Sequence, residues 1–325
     1  MNSTPPYFIG VDGGGSSSRC LIVDSHGIIL AKSISGPTNY RFVDQKLVTQ
    51  NLLGIINQSL VLSQLRLQDI KHIYLGLAGN DRAIDSEFYS NVLIPIRREC
   101  GLTIDTDSAI ALFGAICGKP GVISIGGTGC AAFALNRQGS RANVSFYAGP
   151  GSGANAGIAG LVLGILDQLQ NNDSKLLIEI MDEIGLSDIN ELIDWLCQPA
   201  ELYDLAKITK PIVHWKDRNR LVSEAIDWTV RSLATAAIVA AKKVGIDKED
   251  CLVSYTGGLF DAKEEIVLPF SDMVRKYLPR ANVLSPRFPP VHGAVFAAMI
   301  SCYREVDTVI IENLTRQDII PYNSL

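Results

Sequence analysis

Short apolar runs separated by polar turn residues open the chain. The apolar runs at 7–11, 19–23 and 27–34 are divided by the turns at 12–15 and 24–27. Runs of this length, interrupted by glycine, serine and aspartate, are typical of an antiparallel β-meander. From 45 to 65 the apolar residues instead recur at helical spacing, which predicts a helix after the meander.

The rest of the chain alternates between the two kinds of pattern. Strands are predicted at 73–77 and 102–104, with helices at 84–98 and 109–117. A second set of short apolar runs then begins, which predicts strands at 121–125, 131–135 and 140–148. Helical spacing dominates from 155 to 245, a strand is predicted at 251–255, and helices are predicted at 261–278 and 291–303. Residues 306–325 are polar and weakly patterned.

The order strand, Gly-rich turn, strand occurs twice, near 8–23 and near 121–135. This recurrence suggests two α/β domains of related topology, and the helix-breaking residues 118–120 lie between them. A length of 325 residues also fits two domains of ~150 residues. We therefore expect domains at 1–118 and 119–325, with the last helix a candidate to pack back on the first. Two unrelated α/β units are the alternative.

Composition narrows the classes of function. Hydrophobic residues make up 47% and charged residues 19%, which is typical of a packed globular protein. The net charge is −5 and basic residues do not cluster in long runs, so we expect no nucleic-acid partner. The longest apolar run, at 233–241, is far short of the ~20 residues of a membrane-spanning helix. We expect no membrane partner and no secretory signal.

The cysteines favour a reducing compartment. There are seven, an odd number, and no two of them have the Cys-x-x-Cys spacing of zinc or redox sites. Most lie in apolar segments, as buried cysteines do. A cytoplasmic location without a metal cage is the resulting expectation.

The first Gly-rich turn has the composition of an anion site. Gly13, Gly14 and Gly15 let backbone N–H groups approach an anion without a Cβ in the way, and Ser16 adds a hydroxyl donor. Asp12, at the strand end, would suit a hydrated Mg²⁺. Neither the dinucleotide fingerprint nor the Walker motif is present, so a Gly-rich hairpin without a ligand is the alternative.

Two further Gly-rich turns end apolar strands. One contains Gly126, Gly127, Thr128 and Gly129, and the other contains Gly257 and Gly258 after Thr256. Three such turns are much less probable by accident than one. Together they favour a nucleotide held between two domains, with phosphates on the first two turns and adenosine near the third.

Asp107 lies between a predicted strand and an Ala-rich helix. It could be the N-cap of that helix, a role that Asp performs well. It could also act as a general base that accepts a proton from an attacking hydroxyl. Asp105, two residues earlier, points the same way if the strand continues, and is the rival candidate.

These motifs resemble those of the sugar kinase/Hsp70/actin superfamily. Residues 9–16 resemble its first phosphate motif, 123–129 its second and 255–258 its adenosine motif. Residues 106–109 resemble the segment with the catalytic aspartate in the N-acetylglucosamine/glucosamine kinase branch of the BadF/BadG/BcrA/BcrD ATPase family. Segments 76–81 and 289–294 are also similar to that family, and the resemblance extends from 7 to about 304.

The resemblance implies two ribonuclease H-like domains of the actin/hexokinase type, with a nucleotide cleft between them. It implies ATP and Mg²⁺ as cofactors, with phosphates at 13–16 and 126–128 and the metal at Asp12. Asp107 would deprotonate the hydroxyl of a hexosamine, and Asn39, Asp107 and Gly129 would contact that sugar. The expected partners are a small-molecule sugar and a second copy of the chain in a homodimer.

One segment departs from the family pattern and keeps other functions open. Related hexosamine kinases carry an acidic residue in a Gly-rich segment whose equivalent here is 149–153, which has none. A catalytically silent sugar or nucleotide binder is one alternative. An ATPase activator of 2-hydroxyacyl-CoA dehydratases is another, but the cysteines do not match its bridging iron–sulfur cluster. A sugar-responsive repressor would need a DNA-binding module, for which no room precedes the first strand.

Overall fold

The computed structural model describes residues 6–146, 151–171, 174–197 and 202–317. The chain divides into two compact units. The first comprises residues 1–120 and 286–325, and the second comprises 121–285. The expected domain boundary at 118/119 lies close to the observed division at 120/121, and the chain returns to the first unit at Pro286.

The first unit is built on a five-stranded sheet with the order β3-β2-β1-β4-β5. Its strands are β1 (Tyr7–Gly13), β2 (Ser18–Asp24), β3 (Ile29–Ser35), β4 (Ile70–Leu77) and β5 (Gly101–Thr106). Its helices are α1 (Gln45–Leu62), α2 (Ala83–Val92), α3 (Ile94–Arg97), α4 (Asp107–Ala115), α12 (Pro290–Tyr303) and α13 (Thr308–Gln317), with a 3₁₀ turn at Leu67–Asp69.

Strand pairing brings the chemically distinctive residues of this unit to one edge of its sheet. Strands β1, β2 and β3 pair antiparallel, which confirms the predicted meander. Strands β4 and β5 then add parallel to β1, so that Asp12 lies beside Gly76 and Leu77 lies beside Thr106. Because carboxyl ends of parallel strands meet at one edge, the first Gly-rich turn, the segment after β4 and the start of α4 are neighbours.

Helix α12 packs closely against β1 and α4 at two glycines. A Cβ on Gly10 of β1 would lie 2.6 Å from the Val295 nitrogen. A Cβ on Gly293 of α12 would lie 1.8 Å from the Ile110 oxygen of α4. Backbone cannot yield as a flexible side chain can, so these two positions require glycine. They bring the helix against β1, the strand that contains Asp12.

The second unit repeats this topology. Its sheet has the order β10-β9-β6-β7-β8, in which β6, β7 and β8 are antiparallel and β9 and β10 are parallel to β6. Its strands are β6 (Gly121–Gly126), β7 (Cys130–Leu135), β8 (Arg141–Phe146), β9 (Cys251–Thr256) and β10 (Ala281–Val283). The prediction of two α/β domains of ribonuclease H-like topology is confirmed.

The helical region of the second unit is divided into many helices. These are α5 (Gly153–Asn171), α6 (Lys175–Ile184), α7 (Ile189–Cys197), α8 (Leu202–Lys207), α9 (Thr209–His214), α10 (Arg220–Lys243) and α11 (Leu268–Tyr277). A 3₁₀ turn at Gly258–Asp261 and a π-helical turn at Lys263–Val267 precede α11. Within the described ranges, no helix is both long and apolar enough to cross a membrane.

Three elements differ from the sequence expectation. The predicted helix at 84–98 is interrupted at Leu93, because Pro95 cannot continue the hydrogen-bond ladder of α2. The short strand β10 was not predicted. Helix α13 forms in the C-terminal segment, where the apolar residues show only weak helical periodicity. It contacts Gly27: the Gln317 side chain donates to the Gly27 oxygen at 2.9 Å, and a Cβ on Gly27 would lie 2.7 Å from the Ile310 oxygen. Tertiary packing on the β2–β3 turn therefore stabilises this helix.

We predict that Gly293→Ala destabilises the protein by about 1–3 kcal/mol, because the added methyl group meets the backbone of α4. Gly54→Ala in α1 is the matched control, since a Cβ there meets nothing within 4 Å. It should instead stabilise the protein by roughly 0.5–1 kcal/mol. Urea unfolding measures both, and equal midpoints for the two variants would contradict the close packing of α12.

Candidate active site

The first Gly-rich turn requires glycine where neighbouring protein atoms lie too close to its backbone for a Cβ. None of Gly13, Gly14 and Gly15 has a positive φ. A Cβ on Gly13 would lie 2.5 Å from both Leu77 and the Thr38 hydroxyl, and one on Gly14 would lie 2.6 Å from the Ser17 oxygen. A Cβ on Gly15 would meet nothing within 4 Å, and Gly15 and Ser16 are exposed. The outer side of the turn is thus open to a ligand.

Two loops are fastened to this turn by backbone hydrogen bonds. The Thr38 nitrogen donates to the Gly14 oxygen at 3.0 Å, and the Ala78 nitrogen donates to the Gly13 oxygen at 2.8 Å. The Thr38 and Ser18 hydroxyls also bond to each other at 3.0 Å. The loops at 37–43 and 78–82, named here the Asn39 loop and the Gly79 loop, therefore lie beside the turn.

Asp12 lies at the end of β1 in a largely dry environment. Burial raises the pKa of its carboxyl to about 6, the charge of Asp107 acts in the same direction, and Arg19 opposes both. Arg19 is the cross-strand neighbour of Asp12, with 3.8 Å between the Nη1 and Oδ2 atoms. The electrostatic coupling shows that the structure brings Asp12 and Asp107 together.

Asp107 is the first residue of α4, and Thr106 is its N-cap. The Thr106 hydroxyl accepts from the Ala109 nitrogen at 3.2 Å, so the interpretation of Asp107 as the N-cap is wrong. Asp107 Oδ1 accepts from the nitrogen and the hydroxyl of Ser108 at 2.7 and 3.2 Å. Within the described ranges, no residue donates a hydrogen bond to Asp107 Oδ2. One oxygen is thus available to accept a proton.

Burial also raises the pKa of Asp107. The charge of Asp81 acts in the same direction, while the hydrogen bonds from Ser108 lower the pKa. A carboxylate with a raised pKa and a free oxygen is a stronger base than an exposed aspartate. Such a group can take a proton from a hydroxyl held next to it.

The rival candidate, Asp105, is occupied by structural contacts. Its Oδ2 accepts from the Tyr74 hydroxyl, and its Oδ1 accepts from the Thr106 nitrogen at 2.8 Å. Strand β5 ends at Thr106, so the alternation that would align Asp105 with Asp107 does not continue. Asp105 anchors the end of β5.

Asn39 is buried against the Gly79 loop. Gly79 has a φ of +82°, and a Cβ there would lie 2.6 Å from the Asn39 side-chain oxygen. That oxygen accepts from the Arg41 nitrogen at 3.1 Å. In the part of the chain that the structure describes, no protein group accepts from the Asn39 side-chain nitrogen, which leaves that nitrogen as a donor for a ligand.

The other two Gly-rich turns are adjacent in the second unit. Ile125 pairs with Thr256 where β6 and β9 end. Gly257 has a φ of +102°, and a Cβ there would lie 2.4 Å from the Gly126 oxygen. The Gly127 nitrogen donates to the Gly129 oxygen at 3.0 Å and closes the second turn, which includes Thr128. A Cβ on Gly127 would meet nothing within 4 Å, so this turn is also open on one side.

A cavity of about 450 Å³ lies beside these turns. Gly127, Gly153 and Gly258 form one part of its lining. Apolar and charged side chains complete it: Ala206, Val213, Leu259, Ala262, Lys207, Lys210, Thr209, Glu183 and Asp261. The sequence does not identify residues 206–213 as part of a pocket, because helical periodicity alone does not distinguish a helix that lines a pocket from any other surface helix.

The segment that lacks an acidic residue is attached to the second turn. Gly149 and Pro150 lie outside the described residues. Ser152 is fully buried and caps α5, with its hydroxyl accepting from the Asn155 nitrogen at 3.1 Å. The Gly153 nitrogen donates to the Gly127 oxygen at 2.8 Å. The described part of the segment therefore supports the turn and the first residues of α5.

Comparisons with known proteins identify the family and the relatives of this chain. The model of the BadF/BadG/BcrA/BcrD ATPase family matches residues 9–175. The chain is 23% identical over 304 residues to an N-acetylmuramic acid/N-acetylglucosamine kinase of Clostridium acetobutylicum, covering 91% of this chain and 99% of the relative. It is 27% identical over 319 residues to an N-acetyl-D-glucosamine kinase of Dictyostelium discoideum, covering 90% and 98%.

A solved structure supports the fold. A protein from Chromobacterium violaceum, described as an N-acetylglucosamine kinase, superposes with a TM-score of 0.66 at 22% identity. The superposition covers 90% of this chain and 98% of that one. At this identity the likeness is evidence for the fold alone.

We predict that Asp107→Asn stabilises the protein at pH 7.5. Because its folded-state pKa is raised above the ordinary value of 3.8, the ionised carboxyl opposes folding at neutral pH. The difference from the wild type should shrink as the pH falls through the raised folded-state pKa toward 3.8, because both states bind the proton only below that value. Urea unfolding from pH 4 to 7.5 measures it.

Asp105→Asn is the control, since it disturbs the contacts to Tyr74 and Thr106 and should destabilise the protein by about 1–2 kcal/mol at pH 7.5. A loss of stability in Asp107→Asn similar to that in Asp105→Asn would show that Asp107 has a structural role.

Proposed function

Because the chain belongs to the BadF/BadG/BcrA/BcrD ATPase family, we propose that it is an ATP-dependent kinase that phosphorylates a hydroxyl of a hexosamine. The family implies ATP as a substrate. The two curated kinases described above align over about nine-tenths of this chain and nearly all of their own length, which supports the sugar class. N-acetylglucosamine and N-acetylmuramic acid are the first sugars to test.

The observation that carries the proposal is the state of Asp107. Its Oδ1 is held by Ser108, another residue caps the helix, and burial raises the pKa of the carboxyl. In the proposed reaction, the oxygen of the sugar hydroxyl attacks and bonds to the γ-phosphorus of ATP, and Asp107 Oδ2 accepts the proton of that hydroxyl. The bond from that phosphorus to the bridging oxygen breaks, and ADP leaves. Phosphoryl transfer depends mainly on such positioning and on charge neutralisation.

The phosphates of ATP are assigned to the open sides of two turns. Gly15 and Ser16 would present backbone N–H groups and a hydroxyl from the first turn. Thr128 would do so from the second turn, where the Gly127 nitrogen is already bonded to the Gly129 oxygen. The cavity beside Gly257 and Gly258 has a volume suited to a nucleoside. Apolar lining residues such as Leu259 would contact the base, and the charged ones the ribose and phosphates.

Asp12 is the residue that would hold Mg²⁺, through water. A mostly buried carboxylate near the end of a strand, next to an open turn suited to anions, fits a cation that prefers carboxylate and phosphate oxygens. The cation would neutralise phosphate charge. It would also relieve the repulsion between Asp12 and Asp107 that the structure records.

The sugar is assigned to Asn39, Asp107 and Gly129. The donor on Asn39 would bind a sugar hydroxyl or the acetamido oxygen, while Asp107 accepts from the reacting hydroxyl. The segment at 151–153 has no acidic side chain where related kinases have one, and its Ser152 is fully buried as the cap of α5. We therefore expect sugar affinity to depend more on the loops of the first unit.

Two further parts of the proposal concern assembly and location. A homodimer is supported by four exposed apolar side chains along α5: Ile158, Val162, Leu166 and Leu169. A monomeric mass in light scattering at micromolar concentration would exclude it.

The free cysteines of the described chain and the need for ATP support a cytoplasmic location.

The deciding experiment is ADP release from Mg-ATP with a panel of N-acetylglucosamine, glucosamine, N-acetylmuramic acid and glucose. We expect turnover with at least one amino sugar. Asp107→Asn should lower kcat by about 10²–10⁴-fold, because it removes the proton acceptor, while ATP binding in calorimetry persists. Asp105→Asn should keep most of the turnover. Absence of sugar-dependent ADP release across the panel would refute the kinase proposal.

The phosphate assignment predicts that Gly15→Ala and Gly127→Ala weaken ATP binding without weakening the fold. A Cβ at either position meets no protein atom within 4 Å, so folding should tolerate it. The methyl group would instead block the approach of a phosphate, raising the Kd for ATP by about tenfold. Calorimetry and thermal unfolding measure the two effects. Unchanged ATP affinity in both variants would place the phosphates elsewhere.

A further inference from the structure

Asp85 is a buried carboxylate with an unusual number of donors. It is the third residue of α2, and its side chain is 0% exposed. Its two oxygens accept from the Tyr40 hydroxyl, Arg41 Nη2, the backbone nitrogens of Asp81 and Arg82, and Arg82 Nε and Nη2. These donors hold the pKa of Asp85 well below its usual value despite the burial.

The donors come from both loops beside the first Gly-rich turn. Tyr40 and Arg41 follow Asn39 in the Asn39 loop, and Asp81 and Arg82 end the Gly79 loop. Arg41 also reaches across to Asp81, with 3.5 Å between its Nη1 and the Asp81 Oδ2. Asp85 therefore joins the two loops through hydrogen bonds in a buried position, where each such bond is strong.

Helix capping explains only part of this arrangement. The same sequence pattern, Arg-x-x-Asp, caps the short 3₁₀ turn at Leu67–Asp69: the Arg66 nitrogen donates to Asp69 at 2.8 Å, and the Arg66 side chain contacts the same carboxylate. Asp69 does this with its side chain 33% exposed, against 0% for Asp85. Burying Asp85 is not needed for a cap, and its bonds to Tyr40 and Arg41 have no counterpart at Asp69 among the described residues.

Both joined loops carry groups of the candidate site. The Asn39 amide rests on Gly79, and the charge of Asp81 contributes to the raised pKa of Asp107. A displacement of the Asn39 loop away from the Gly79 loop would therefore move the sugar-binding donor and change the electrostatic environment of the base. Asp12 and the phosphate-binding turn are held by other hydrogen bonds, those of Thr38 and Ala78.

We propose that Asp85 is a positioning residue for the sugar acceptor, which fixes the Asn39 loop on the Gly79 loop so that Asn39 and Asp81 keep their places beside Asp107. This inference rests on the proposed kinase function. It assigns to Asp85 an effect on sugar binding and none on the nucleotide.

Asp85→Asn tests the proposal, with Asp69→Asn as the matched control. Both changes replace the carboxylate of an Arg-x-x-Asp cap by an amide, but only the first removes charge from the buried junction. In Asp85→Asn the KM for the sugar should rise by about tenfold or more, with the KM for ATP within about twofold and kcat within about threefold. Asp69→Asn should change none of them by more than about twofold.

Tyr40→Phe provides a milder variant in case Asp85→Asn folds poorly. It removes one hydrogen bond to Asp85 and keeps the ring, whose centroid lies 4.6 Å from that of Phe88 and 5.8 Å from that of Tyr89. The KM for the sugar should rise in the same direction by a smaller factor. Equal loss of kcat and of ATP affinity in either variant would indicate general destabilisation and overturn the proposal.

Hydrogen exchange supplies a readout that does not depend on turnover. Amides of both loops should exchange faster in Asp85→Asn and in Tyr40→Phe, and at the wild-type rate in Asp69→Asn. Unchanged exchange of the Asn39 loop in Asp85→Asn overturns the proposal. If the wild type phosphorylates no sugar, the kinase proposal fails by itself, and the exchange rates still decide whether Asp85 joins the loops.

Discussion

The cost of burying carboxylates at one edge of the first sheet, to which their mutual repulsion adds, is the constraint on which the candidate site depends. Asp12, Asp81, Asp85 and Asp107 all lie in the neighbourhood of the first Gly-rich turn, and burial opposes ionisation of both Asp12 and Asp107. Three of these carboxylates, those of Asp85, Asp12 and Asp107, differ in the donors and charges beside them. Asp85 is surrounded by donors, Asp12 has one arginine at a distance, and Asp107 accepts from Ser108. The donors keep the pKa of Asp85 low, whereas burial outweighs the partners of Asp12 and Asp107 and raises the pKa of both.

The same edge depends on glycines that permit close contact. Gly13 and Gly14 bring the turn against Leu77, Thr38 and Ser17, while Gly10 lets α12 approach β1 directly behind Asp12. With the inner side of the turn packed and the outer side open, backbone N–H groups can be held rigidly and still face a ligand. Rigid donors need no reorganisation when charge arrives, which is the property that a phosphate-transfer site requires.

Much of this could be predicted from sequence, for definable reasons. The meander, the restart at 121 and the positions of the Gly-rich turns follow from periodicity and from glycine, which are local signals. The sequence leaves Asp107 as one candidate for the N-cap of α4, because Thr106 and Asp107 are both good caps and only the backbone conformation at Thr106 distinguishes them. Helix α13 depends on its contact with Gly27, and the junction at Asp85 depends on Tyr40 and Arg41 in a distant loop. No local pattern encodes such contacts.

The two units share a topology and differ in chemistry, and the difference follows from electrostatics. Strand β1 ends in Asp12 and Gly13, whereas the corresponding strand β6 ends in Ile125 and Gly126, and β9 ends in Tyr255 and Thr256. The strand ends of the second unit thus carry no carboxylate. A second group of acidic residues at these positions would repel the polyphosphate that the turns are proposed to bind. Restricting the carboxylates to one copy of a repeated topology would let the first unit supply the proposed base and cation site, while the second would supply the proposed phosphate donors and nucleoside cavity.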